Sequence, residues 1–349
     1  MSPTPIGRRE FITVGASAGA LLALGPRRAF SQRPVSIDVH AHWEPESYFQ
    51  ALAKLRPYTG TRDPRDFDLD TRRVWMDRHG VQMHVLTLDG GMPWQWVAPA
   101  EGARLAQIIN DAAIEAHAAF PDRFIGVVEM SVRSPDLALG ELNRVAGKPG
   151  IRAVHLPNSI EGRDYLFEPE YAPLLARCEE LGYPLLFHPL DGEANYYGGK
   201  DRIGDALSVS ARLHNTLGFP FESATTAARF ITTGTLDRYP RLEIVLPHSG
   251  GAFPYVAGRV GHGIERSKFA LQRPFMEYVR RFHYDSLTYY PGTLRFLIDL
   301  VGSDRVVIGS DNFAPMDVEF PNALVEGLRL PAADRERILR GNAARLFRL

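Results

Sequence analysis

Short apolar, β-branched runs recur along this chain and alternate with segments whose apolar residues fall three and four apart. The runs are Val35 to Val39, Val81 to Leu88, Phe124 to Met130, Ile151 to Leu156, Pro184 to Phe187, Leu242 to Pro247, Phe282 to Thr288 and Val306 to Ser310. Each is of strand length, while EGARLAQIINDAAIEAHAAF and YAPLLARCEELG carry the spacing of amphipathic helices. Eight strands alternating with helices predict an α/β protein, a (β/α)8 TIM barrel in a single domain. A doubly wound open sheet is the rival, but no Gly-x-Gly-x-x-Gly follows the first strand. The stretch from Asp191 to Pro240 is too long for a simple connection and predicts an inserted helical segment after strand five.

The first 31 residues depart from this pattern. Arg8-Arg9 precedes a short apolar run, FITVGASAGALLALG, and Ala29-Phe30-Ser31 places small residues where a signal peptidase reads. This looks like a twin-arginine export leader over residues 1–31, with the barrel in 32–349. The run is short for a bilayer span, so no stable membrane anchor is expected after cleavage, and the mature chain is expected in the periplasm or exported. Its partner at that stage would be the twin-arginine machinery, which carries proteins already folded.

The formal net charge is -1, and loss of the leader's four arginines and one glutamate makes it -4, which disfavours nucleic acid as a partner. The single cysteine, Cys178, has no partner for an internal disulfide and reads as a packed helix residue.

In a barrel of this kind chemistry sits at the carboxyl ends of the strands. Strand one ends in His40-Ala41-His42, strand five in His188, strand six in His248 and strand eight in Asp311. Side chains two apart on a strand share a face, so His40 and His42 converge on one point. Asp38, two earlier, points with them if the strand is regular and reads best as a supporting or turn-capping carboxylate. Four elements delivering histidine or aspartate to one end predict a metal site.

These residues, with IDVHAH, FPDRFIGV, EPEYAPLLARCEELGYPLLFHP, PHSGGAFPYVAGR and DRVVIGSD, resemble the amidohydrolase superfamily, within it the branch of aminocarboxymuconate-semialdehyde decarboxylase and related non-oxidative decarboxylases. The resemblance covers nearly the whole mature chain. It implies that His40, His42, His188 and Asp311 bind one divalent cation, zinc expected and manganese compatible, with no organic cofactor. It implies that His248 is the general acid/base beside a metal-bound water. It implies a homodimer in which Arg259 reaches a substrate carboxylate across the interface. Strand four offers His155 where two-metal members carry a bridging lysine; His155 either touches substrate or is a satisfied barrel histidine. Trp94 and Trp96, in the loop after strand two, either stack on a planar substrate or cap the barrel. Arg62 and Arg65 are the candidates for a second substrate arginine.

The expected activity is decarboxylation of a small aromatic or enolic carboxylic acid. Two readings compete with it. The same site could hydrolyse a lactone, amide or carbon-carbon bond, or the barrel could be a non-catalytic periplasmic binding protein.

Overall fold

A computed structural model describes residues 35–58, 60–190 and 213–349. The leader expected over residues 1–31 lies outside the described residues, as do residues 191–212 of the segment expected after strand five. Eight parallel strands run in sequence order: β1 (Ser36–His42), β2 (Val81–Thr87), β3 (Phe124–Val128), β4 (Ile151–Pro157), β5 (Leu185–His188), β6 (Ile244–Leu246), β7 (Phe282–Asp285) and β8 (Val306–Val307). Bridges from Asp38 to Ile308 and from Ala41 to Asn312 bring the last strand against the first. The expected eight-stranded barrel is the observed one.

Helices follow the strands: α1 (Leu69–His79), α2 (Pro99–Ala119), α3 (Pro135–Val145), α4 (Ala172–Leu181), α5 (Phe219–Thr232), α6 (Phe253–Arg266), α7 (Pro291–Val301) and α8 (Asn342–Phe347). Their boundaries are local. Asp68 caps α1 by accepting the Asp70 N–H, and Gly80, at φ 72°, ends it in the left-handed region that glycine takes without strain. Ser134 caps α3, with Pro135 in the first turn where its missing N–H costs nothing. The described part of the segment after β5 is largely helical and contains α5, followed by a short helix over Thr235–Arg238.

Two apolar layers hold the barrel. The outer one packs strands against helices and includes Trp94 and Cys178, both fully buried. The inner one fills the barrel floor with Ile37, Val39, Met83, Val85, Ile125 and Val127 among others, and Leu346 and Phe347 of α8 plug it from below. Each such side chain contributes about 1.5–3 kcal/mol on burial. With the floor closed by apolar packing, polar side chains inside the barrel collect at the carboxyl ends of the strands.

β1 is not regular. Asp38 pairs with His84 and Ala41 with Leu86, so three steps on β1 match two on β2. The extra residue is a β-bulge across Val39 and His40. Val39 belongs to the inner floor, and His40 turns inward beside it. Asp38 therefore does not point with His40 and His42. It accepts from the His40 N–H at 3.0 Å and from the Ser310 N–H and hydroxyl, tying β1 to the end of β8.

Candidate metal centre

His40 and His42 from β1, His188 from β5 and Asp311 just past β8 are all buried, and one ligand atom from each lies within 4.8 Å of the others. Each imidazole is held by its other nitrogen. His40 Nδ1 is 2.8 Å from Asp285 Oδ2, His42 Nδ1 is 3.0 Å from the Leu88 carbonyl, and His188 Nδ1 is 2.8 Å from the Pro189 carbonyl. Carbonyl and carboxylate oxygens only accept, so the three rings carry a proton on Nδ1 and turn an Nε2 lone pair inward.

This arrangement is unfavourable without a positive charge. His42 Nε2 stands 2.9 Å and His40 Nε2 3.4 Å from Asp311 Oδ1, and His40 Nε2 has no hydrogen-bond partner among the described residues. Inward lone pairs against a carboxylate oxygen repel unless a cation lies between them. The donor set therefore fits a divalent ion that accepts nitrogen ligands.

Positive charge at this point keeps Asp311 ionised: burial raises its carboxyl, but with protons on the facing imidazoles the His42 hydrogen bond and the charges of His40, His42 and His248 outweigh burial and hold it at about 2, the role a cation would take over when those rings are neutral. Burial, aided by the surrounding imidazoles, drives His188 well below the ordinary histidine value. His188 is thus held as the neutral imidazole, the form that can donate a lone pair to a cation.

His248 faces the same point from the turn after β6. Its ring centre lies 5.2 Å from that of His40 and 5.3 Å from that of His188, and Phe219 of α5 stacks on it at 6.0 Å. Burial pushes its pKa down to about 4. His248 and Ser249 both adopt left-handed backbone, at φ 52° and 59°, which costs a non-glycine residue about 1–2 kcal/mol. Asp285 offsets that strain: its carboxylate accepts the His248 N–H at 2.8 Å and the Ser249 N–H at 2.6 Å. One carboxylate thus sets both the His40 ring and the His248 turn.

Beside His248 opens a cleft of about 260 Å³, lined by Asn215, Thr216, Tyr289, Thr293 and Met316 among others. It lies near the low end of the roughly 300–1,000 Å³ common for small-molecule sites, which suits a small substrate.

Not every expected residue joins the site. His155 does, lining a small cavity at the barrel centre with Thr87, His40 and His188. Trp94 does not: it is fully buried in the outer core, so the stacking role gives way to capping, and Trp96 is partly exposed. Arg62 is spent on Glu46 and the Glu44 carbonyl and sits on the Phe49 and Phe67 rings, while Arg65 pairs with Asp63. Neither lines the cleft. Arg259 lies exposed on α6 and does not line the cleft. Asp285 and Glu129 were not anticipated, although each stands at the end of an apolar run, FHYD and FIGVVE, as His188 and Asp311 do.

The chain matches the family model described as Amidohydrolase over residues 37–349. It is 30% identical over 294 residues to a gamma-resorcylate decarboxylase of a Rhizobium species, covering 80% of this chain and 87% of that one. It is 29% identical over 286 residues to the 2-amino-3-carboxymuconate-6-semialdehyde decarboxylase of Dictyostelium discoideum, covering 80% and 77%. Among solved structures it is similar to a dihydroxybenzoic acid decarboxylase of Polaromonas with bound manganese and 2-nitroresorcinol. The TM-score is 0.76 at 25% identity, over 90% of this chain and 97% of that one.

Proposed function

We propose, from the premise that this chain belongs to the amidohydrolase family, that it is a metal-dependent, non-oxidative decarboxylase of a small aromatic or enolic carboxylic acid. The observation that carries the reading is the set of three imidazoles pinned through Nδ1, with their Nε2 atoms turned toward Asp311 and His248 beside them. Two relatives and one structural neighbour whose names state decarboxylation of aromatic or enolic acids support it.

His40, His42, His188 and Asp311 would hold one divalent cation. Bound there, it supplies a fixed positive charge for the acidic oxygens of the substrate and for the negative charge that develops as the carbon-carbon bond breaks. Zinc suits three imidazoles and a carboxylate; manganese, present in the Polaromonas structure, accepts the same donors. The chain's own residues do the rest. The apolar floor excludes water from below, and Phe219 fixes the plane of the His248 ring. As carbon dioxide leaves, the electron pair of the broken bond remains on the substrate carbon. His248 as imidazolium delivers a proton there and returns to neutral imidazole. Its low pKa makes the imidazolium a strong donor, suited to protonating carbon.

The working form we propose is a homodimer. Arg259 and, one turn before it, Tyr255 at 86% exposure share the outer face of α6, and Leu217 and Phe221 are exposed on the neighbouring helical segment. A second copy placed on this face would cover the apolar side chains and deliver Arg259 to the partner's cleft. We further propose that residues 1–31 are a twin-arginine leader and that the mature protein works in the periplasm, which the mass of the exported protein tests.

The deciding experiment is carbon dioxide release from hydroxylated benzoic acids by metal-loaded protein, beside His248→Asn. The expected result is metal-dependent release in the parent, with turnover falling by about 10²–10⁴ in the variant while metal content stays near one ion per chain. Full turnover in His248→Asn would remove that residue from the chemistry. Hydrolysis of lactones or amides without carbon dioxide release would replace the reaction.

A further inference from the structure

Glu129 stands one residue past the end of β3, almost fully buried. A single oxygen, Oε1, accepts two hydrogen bonds, from His155 Nδ1 at 2.7 Å and from the Leu88 backbone N–H at 2.9 Å. Both arms end on a histidine of the site. The first holds the His155 ring, which faces the cavity shared with Thr87, His40 and His188. The second fixes Leu88, whose carbonyl receives the Nδ1 proton of His42.

The carboxylate is itself tightly placed. Asn110 of α2 clamps the Glu129 backbone on both sides, accepting its N–H at 2.9 Å and donating to its carbonyl at 2.8 Å, and also donates to Glu141 of α3 at 2.7 Å. The second oxygen, Oε2, is buried with no hydrogen-bond partner among the described residues. Burying a half-satisfied carboxylate is costly, and a leucine of similar volume would avoid that cost. Packing alone therefore does not explain Glu129.

We infer that Glu129 is a positioning residue that sets two imidazoles at once: His155, with its Nε2 presented as an acceptor to whatever occupies the barrel centre, and His42, with its Nε2 presented to the cation. The His42 arm rests on the metal reading of the site. The His155 arm does not.

The test titrates chelator-stripped full chain with Mn²⁺ alone, in the parent, Glu129→Ala and His155→Leu. Glu129→Ala cuts both arms and should weaken Mn²⁺ binding ten- to a hundredfold, as loss of a bond that orients a ligand does. His155→Leu cuts only the other arm and should bind within about twofold of the parent. Binding within twofold in folded Glu129→Ala would overturn the His42 arm. A ¹⁵N spectrum of the parent, with the His155 signals identified by their loss in His155→Leu, needs no fold-sensitive variant. It should show His155 protonated on Nδ1; protonation on Nε2 alone would overturn the His155 arm. A parent that binds neither Mn²⁺ nor Zn²⁺ would defeat the metal reading and the His42 arm with it, leaving the His155 arm to be decided by that spectrum.

Discussion

Asp285 Oδ2 lies 2.8 Å from His40 Nδ1 and 2.8 Å from the backbone nitrogen of His248, so one carboxylate oxygen joins a candidate ligand on β1 to the His248 turn after β6. Asp285→Asn keeps the volume but turns an N–H₂ toward one set of donors. Metal affinity should fall ten- to a hundredfold, and the His248 turn, left with its backbone strain less compensated, should lose turnover even at saturating metal. Metal titration and steady-state rates on the same preparation measure both; an unchanged rate in fully loaded Asp285→Asn would separate the two roles.

Gly309, in VVIGSD, packs where no side chain fits. A Cβ there would stand 2.9 Å from that of Asp285 and 3.1 Å from that of His40. Gly309→Ala should therefore destabilise the fold by about 1–3 kcal/mol and weaken metal binding, because the neighbours that must yield are a ligand and its anchor. Denaturant unfolding of the stripped protein, alongside metal titration, distinguishes this from a loss confined to metal.

The pH dependence should be displaced to acid. Burial first, with the fields of His40 and His42, lowers the pKa of His248 to about 4, with Asp311 and Asp285 opposing. A depressed histidine pKa means that the neutral ring persists as pH falls through 6.5 and is lost only near 4. Because the proposed proton donor is the imidazolium, the limb of kcat/KM assigned to His248 is the alkaline one: activity should rise as pH falls toward about 4, and a bound cation would move that limb lower still. A limb at 6.5 that vanishes in His248→Asn would contradict the buried environment.

Chelation should remove activity, and Mn²⁺ or Zn²⁺ should restore it. Because the ion binds the folded site, a hundredfold excess over Kd should add about 2.7 kcal/mol of stability. Thermal melts with and without metal give the shift, and the His188→Ala protein should show little of it.

Arg259→Ala and His248→Asn should each be inactive alone. In a mixed dimer, one of the two sites would combine an intact His248 with an Arg259 from the other copy. Co-refolded or co-expressed mixtures should regain up to about a quarter of parental activity, since half of the dimers are mixed and each carries one complete site. No recovery in mixtures shown to contain mixed dimers would place Arg259 outside the partner's cleft.

The barrel and most of the candidate metal centre were legible because their signals are local. An apolar run of strand length followed by histidine or aspartate puts that side chain at the strand's carboxyl end wherever the strand is placed, which holds for His40, His42, His188 and Asp311. Arg62 and Arg65 show the opposite case. Their charge was visible in the sequence, but the partners that consume it, Glu46, the Glu44 carbonyl and Asp63, depend on how the segment folds. Trp94 likewise read as a mouth residue, and packing placed it in the core.

By itself the amino-acid order determined how many strands there are, that they run parallel, and which of them end in candidate ligating side chains. Only the tertiary structure decided which way those side chains face and what holds them. A regular β1 would turn Asp38 inward with His40, and it is the two-against-one register with β2 that sends Asp38 out to Ser310 and brings His40 in. Facing depends on how a strand pairs with its neighbours, and orientation on acceptors far away in sequence, 245 residues in the case of His40 and Asp285. Both are properties of strands in register, and a strand's own residues carry no record of them.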